Sequence, residues 1–384
     1  MKRHALSFII LPMWFACKAE TTSRETNAFP VQQEIAKPQP EQAQSCITPL
    51  LESEQNSPSE WFAAHTKPGQ ILLVAEHHEQ TSQINSLTTA LSLTAKSSAD
   101  VYFAAEWLPA SATEKVNKLV QAETWNDQLW WSIISDKYFI RPLHVEEYRL
   151  PLQNILQLNQ NRTSPIKLLG LAPDCRMLDK TIDETTECLL QREQFMEDQI
   201  RKNFPPNSPA TLVVSLGFRH AQLITTDVDN HIPLGKRLTK DYSVTSLLLN
   251  GLGQHGRTLC AGIFDSFTTE AILSLTDPSL RGLTSRCLNT DPYHEVVLLS
   301  EIFSHVWTGF TTREQTLLSE TALQNMPPSA LEGWSNFQSR LMGAQNVQAD
   351  PKSWTNWIQN EWKPIKMAPL TEFDCAQLPL FLEQ

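Results

Sequence analysis

The sequence predicts an α/β protein: a mostly parallel central sheet with helices on both faces, followed by a helical C-terminal extension. Three observations carry this expectation. Short, largely apolar runs such as Ile71–Ala75 (ILLVA), Val101–Ala105 (VYFAA) and Thr211–Leu216 (TLVVSL) read as buried strands. Segments with apolar residues at helical spacing lie between them, as at Ile84, Leu87, Ala90 and Leu91. Strands that alternate with helices build a parallel sheet by crossover connections.

The chain begins with Lys2, Arg3 and His4, then an apolar stretch from Ala5 to Ala16, then Cys17. This layout predicts a bacterial secretory signal over residues 1–17, with Cys17 as a lipidation site that would tie the protein to a membrane. Residues 18–45 are rich in Thr, Glu, Gln, Ala and Pro and read as a flexible tether. The expected location is the cell envelope, as a periplasm-facing or outer-membrane lipoprotein. Cys46, Cys175, Cys188, Cys260, Cys287 and Cys375 would remain after export, an even number that an oxidising compartment permits to pair. No CxxC occurs, which argues against a thiolate zinc site.

The main domain is expected over residues 46–311. A helix is predicted from Thr81 to Lys96, and a Trp-rich helical region around Trp125, Trp130 and Trp131 reads as core or pocket wall. Tyr148 to Gln160 reads as a helix, Ile166–Leu171 as a strand, and Glu184–Phe204 as an amphipathic helix. Further strands are expected at Ser243–Leu249, Thr258–Phe264 and Glu295–Ser300. Strand signals stop near Thr311, and residues 312–384, with Trp334, Trp354, Trp357 and Trp362, read as a helical extension packed on the domain.

Composition narrows the function. A hydrophobic fraction of 41% and a charged fraction of 19% describe an ordinary globular chain. A net charge of -11 argues against nucleic acid as a partner, because phosphate binding needs basic surface. No GxSxG elbow or Walker loop is present, which weakens serine-hydrolase and nucleotide readings.

What remains is a set of polar groups at strand ends: Glu76, His77 and His78 after the first strand, Glu106 after the second, and His220 after Thr211–Leu216. Ligands bind parallel sheets outside the carboxyl ends of their strands. Two carboxylates and two imidazoles there suit a divalent cation (zinc, manganese or cobalt) that activates water. They equally suit metal-free catalysis with a His as base and a carboxylate to orient it. The candidate site is therefore Glu76, His78, Glu106 and His220, with the same four as the alternative metal ligands. Asp183, Glu184, Glu187 and Glu193, near a helix start, read as a solvated face favoured by the helix dipole. His305, beside the last strand, is read first as a surface or packing residue and second as a site residue.

The ordered motifs resemble the ChaN, erythromycin-esterase-like and Tiki superfamily. Ala75-Glu76-His77-His78 is similar to that group's Gly-Glu-x-His, with Ala75 in place of the Gly. Glu106 resembles the Glu that ends its second strand, and Gly217-Phe218-Arg219-His220-Ala221 is similar to its Gly-x-x-His-Ala. Tyr148-Arg149-Leu150-Pro151-Leu152 and Pro233-Leu234-Gly235-Lys236-Arg237-Leu238 resemble two of its helices. The resemblance implies one of several activities. ChaN-like members are envelope lipoproteins that look like haem or iron binders, Tiki-like members resemble metal-dependent proteases, and the esterase-like members use a His as base. The leading expectation is a metal-dependent or His-based hydrolase acting on a small molecule or peptide. A haem- or iron-binding uptake lipoprotein is the second, and a non-catalytic interaction lipoprotein on a degenerate enzyme fold is the third.

Overall fold

The computed structural model describes residues 56–76, 81–135, 145–173, 191–225, 231–249, 270–277, 280 and 297–308, with scattered positions from 324 to 350 and helix 351–360. The expected leader, Cys17, the tether, all six remaining cysteines, His77, His78 and the expected strand Thr258–Phe264 lie outside the described residues.

The described chain runs α1 (Pro58–His65), β1 (Gln70–Glu76), α2 (Thr81–Ser97), β2 (Val101–Pro109), α3 (Thr113–Val120), α4 (Asp127–Ser135) and α5 (Val145–Asn159). It continues with β3 (Lys167–Ala172), α6 (Arg192–Asn203), β4 (Thr211–Gly217), α7 (Leu234–Leu238) and β5 (Ser243–Leu249). The last described elements are β6 (Ala271–Ser274), α8 (Leu299–Ile302), β7 (His305–Thr308) and α9 (Pro351–Asn360). The start of α1 is fixed by Ser57, whose hydroxyl and backbone exchange hydrogen bonds with Glu60, and by Pro58 in the first turn.

The seven strands lie in the order β3-β2-β4-β1-β5-β7-β6. All pairings are parallel except β6 with β7. The predicted fold class holds: an α/β sheet, mostly parallel, with helices around it. Side-chain alternation sorts the core into two layers. Ile71, Leu73 and Ala75 of β1 pack with Met196 and Ile200 of α6 and Leu234 and Leu238 of α7. Leu72 and Val74 pack with Trp61 of α1, Leu87 and Leu91 of α2, and Leu152 and Ile155 of α5. Trp130 and Trp131 belong to this second layer, as a core reading requires. Trp354 of α9 is fully buried in it and donates its indole N–H to Ser335 Oγ at 2.6 Å.

Two strand assignments differ from expectation. Of the run read as a strand at Glu295–Ser300, the described part leads into α8, which buries Leu299 and Ile302 three residues apart on one helical face. The pairing strand is β7, His305–Thr308, which lies between β5 and β6. β2 runs past Glu106 to Pro109, with a register irregularity against β3 after Ala105. Gly170 makes that extension fit, since a Cβ there would stand 2.0 Å from the Pro109 carbonyl oxygen.

Candidate functional site

The strands β2, β4 and β1 are neighbours, so their carboxyl ends lie side by side. The chain leaves β1 toward β2 on one side and leaves β4 toward β5 on the other, which makes this stretch of edge a topological switch point. β4 ends at Gly217, opposite Glu76 in the register. Phe218 N–H then donates to the Glu76 carbonyl at 3.0 Å, and His220 N–H donates to the Gly217 carbonyl at 2.9 Å. This tight turn carries the His220 ring onto the edge. The His220 carbonyl accepts Gly235 N–H at 2.9 Å, tying the turn to the start of α7. Gly235 is required there, because a Cβ would meet the Gln222 and Ala221 carbonyl oxygens at 2.6 and 2.7 Å.

His220 is held between two carboxylates. Its Nδ1 is in direct contact with Glu193 Oε1, and its Nε2 lies 3.5 Å from Glu106 Oε1. Glu106 is buried, paired with the Arg192 guanidinium, and accepts Gly217 N–H at 2.7 Å. Glu193 is also buried; its second oxygen accepts Leu234 N–H at 2.7 Å, and His231 Nε2 lies 3.4 Å from the first. One ligand atom from each of Glu193, His220 and His231 lies within 4.8 Å of the others.

The electrostatics follow from this packing. Burial alone would raise the Glu193 carboxyl, but the His220 and His231 imidazoles outweigh it and hold the group at about 2. Burial alone would lower His220, but Glu106 and Glu193 outweigh it and raise the imidazole above its usual range. Position in the first turn of α6 further favours the Glu193 carboxylate.

Of the four residues expected from sequence, the structure brings Glu106 and His220 together. His78 lies outside the described residues. Glu76 is buried at the same edge and accepts the Tyr148 hydroxyl at 2.9 Å. Alternation sets its side chain with Leu72 and Val74, whereas Glu106 shares the face of Ala104 and α6. The two carboxylates therefore reach the edge from opposite faces of the sheet. Tyr148 stacks on Trp107 at 4.7 Å between centroids, and the Trp107 indole donates to Ser215 Oγ at 3.2 Å.

Sequence reasoning missed Arg192, Glu193, His231 and the role of Tyr148. The reading of Glu193 as solvated is corrected: it is 4% exposed and central to the cluster. Its buried neighbours on α6 are Met196, Glu197 and Ile200, a helical stripe that carries two glutamates among apolar residues. An acid inside an apolar stripe was the available signal. Asp183, Glu184 and Glu187 lie outside the described residues.

No protein-family model and no curated protein sequence matches the chain. Among solved structures it is similar to a Bacillus cereus protein, at 10% identity and a TM-score of 0.41, covering 66% of this chain and 98% of that one. It is similar to ChaN of Campylobacter jejuni, described for cofacial haem binding, at 12% identity and 0.32, covering 65% and 90%. The type III effector HopBA1 follows at 10% identity and 0.33, covering 52% and 87%.

Proposed function

We propose that this protein is a metal-dependent hydrolase of the cell envelope, whose cation is held by Glu193, His220 and His231. The observation that carries the reading is the approach of these three donors to within 4.8 Å at the carboxyl edge of the sheet. Two imidazoles and one carboxylate form a donor set that leaves coordination positions open for water and substrate. A bound zinc, manganese or cobalt ion would lower the pKa of such a water toward neutrality.

The chain's own residues supply the rest. His220 turns Nδ1 toward the cluster and Nε2 toward Glu106, and a carboxylate on the far nitrogen orients a ligating imidazole. Arg192 and Gly217 N–H fix Glu106 in that role. Glu76, with its Tyr148 partner, is the group proposed to take up or return a proton from the opposite face. His78, two residues beyond β1, is proposed to complete the site. The basic start, the apolar run Ala5–Ala16 and Cys17 support export and membrane attachment.

The test is elemental analysis and calorimetric titration of the full chain with zinc, manganese and cobalt, followed by ester and peptide substrates. One equivalent is expected in the unaltered protein. Glu193→Gln and His231→Ala should each weaken binding by at least tenfold and abolish turnover. Absence of cation uptake by the unaltered protein would overturn the reading. A Soret band on haem titration, lost in His231→Ala and without cation uptake, would replace it with haem binding.

A further inference from the structure

The sheet has two edge strands, β3 and β6, and the chain closes them in different ways. On β6 the backbone does it: Ile272 N–H donates to the Asn56 carbonyl at 2.9 Å, and Asn56 N–H donates to the Ile272 carbonyl at 3.3 Å. Among the described residues β3 pairs with β2 alone. Backbone groups of successive residues point to opposite sides of a strand. Lys167, Leu169 and Leu171 are therefore turned toward β2, and Ile166, Leu168 and Gly170 are turned outward.

Side chains meet all three outward N–H groups. Asn117 Oδ1 accepts Leu168 N–H at 2.9 Å, and Asn117 Nδ2 donates to the Leu168 carbonyl at 2.8 Å. That amide offers an acceptor and a donor side by side, as the backbone of a neighbouring strand would. One turn earlier on α3, Thr113 Oγ1 accepts Gly170 N–H at 2.9 Å. Asn159, the last residue of α5, accepts Ile166 N–H at 2.7 Å. These side chains are fixed in turn: Asn117 Nδ2 also donates to the Thr113 carbonyl at 2.8 Å, and Asn159 Nδ2 to the Val120 carbonyl at 2.9 Å. Apart from exposed Lys167, β3 is buried and apolar. An edge of that kind recruits another chain when it is open.

We propose that Thr113, Asn117 and Asn159 act as a surrogate strand that holds an interaction edge closed, and that the partner this edge fits is β3 of a second copy of the chain. The partner follows from symmetry. Two identical strands can pair antiparallel about a two-fold axis, each presenting the same groups to the other. With Leu168 opposite its own copy, Ile166 falls opposite Gly170, so the three outward residues of both copies find backbone partners. The side chains of α3 and α5 occupy those same positions first. Whatever loosens α3 opens the edge, because Asn117 and Thr113 leave with it. The inference uses none of the groups assigned to the cation.

The experiment is sedimentation with amide hydrogen exchange on the full chain, over a range of protein concentrations. Exchange across residues 166–171 of the unaltered protein should not change with concentration. Asn117→Leu keeps side-chain size and helix propensity but removes both bonds to Leu168. Its Leu168 amide should exchange about tenfold faster in dilute solution, with protection over 166–171 returning as the variant self-associates. Thr113→Val removes the bond to Gly170 and should speed that amide about tenfold. This second variant decides the question if Asn117→Leu does not fold, and an unmoved Gly170 amide in it overturns the proposal. So does an Asn117→Leu protein that folds and associates no more than the unaltered chain, or one whose association protects segments other than β3. Concentration-dependent protection of β3 in the unaltered protein would also overturn it, since the edge would then already be open.

Discussion

Two imidazole pairs among the described residues meet at nearly the same interplanar angle in opposite electrostatic surroundings. His220 and His231 meet edge-on at 6.4 Å and 68°, and His65 and His305 at 5.1 Å and 73°. Glu193 and Glu106 flank the first pair and raise His220 above its ordinary range, against the pull of burial. Aromatic rings, Trp61 among them, enclose the second. Burial first, and the neighbouring His65 second, push His305 down to about 4. Ring placement alone therefore does not define a site. In the metal-free protein the surrounding charge decides which protonation state each imidazole favours.

Removing the carboxylate is the most damaging way to break the contrast. Glu193→Ala leaves His220 and the Leu234 N–H without their buried partner. Stability in urea should fall by about 3–5 kcal/mol, the usual cost of breaking a buried ion pair from one side. The pair around His305 should lose little in that variant, which near-ultraviolet dichroism of the indoles can check.

Acid titration sharpens the difference because the two pairs respond with different signs. His305 takes a proton near 6.5 in the unfolded chain but only at about 4 when folded. Stability should therefore decline as pH falls from 6.5 toward 4, by about 2–3 kcal/mol in the metal-free protein. His305→Phe should flatten that part of the curve. His220 is raised on folding, so its contribution is complete below 6.5 and fades as pH rises through the folded value. Glu193 is depressed to about 2, so its contribution is complete above 4.5 and is lost as pH falls toward 2. Urea unfolding across this range, with and without His305→Phe, separates the three.

The smallest effect is expected across the sheet. Tyr148→Phe removes the hydroxyl donor from buried Glu76, costing about 1–3 kcal/mol in stability. Cation binding by Glu193, His220 and His231 should stay within twofold of the unaltered protein. A large loss of binding would mean that the two faces act on one ligand.

The strands were legible because a strand buried on both faces is mostly apolar, as β1, β2, β4 and the second half of β5 are. β6 and β7 were not, since four-residue strands such as AILS and HVWT carry too little pattern to stand out. The strand-end rule found Glu106 and His220 because β2 and β4 become neighbours in the sheet. It could not say that Glu76 and Glu106 sit on opposite faces. That depends on where each strand begins its alternation, and a shift of one residue reverses it. Glu193 and His231 escaped for another reason. They arrive from the start of α6 and from the segment before α7, so only the tertiary fold sets them beside a strand end.

The order β2-β4-β1 has a consequence for how the chain is made. β1 and β2 leave the ribosome early, but among the described residues neither pairs with the other. Each waits for Thr211–Gly217 to be synthesised and inserted between them. Until then these two largely apolar strands keep open hydrogen-bonding edges, a state prone to pairing with the wrong chain. The sheet closes late and through long-range contacts, which slows folding. A nascent chain of this protein is thus a natural client for holdase chaperones, and truncations before β4 should be insoluble rather than partly active.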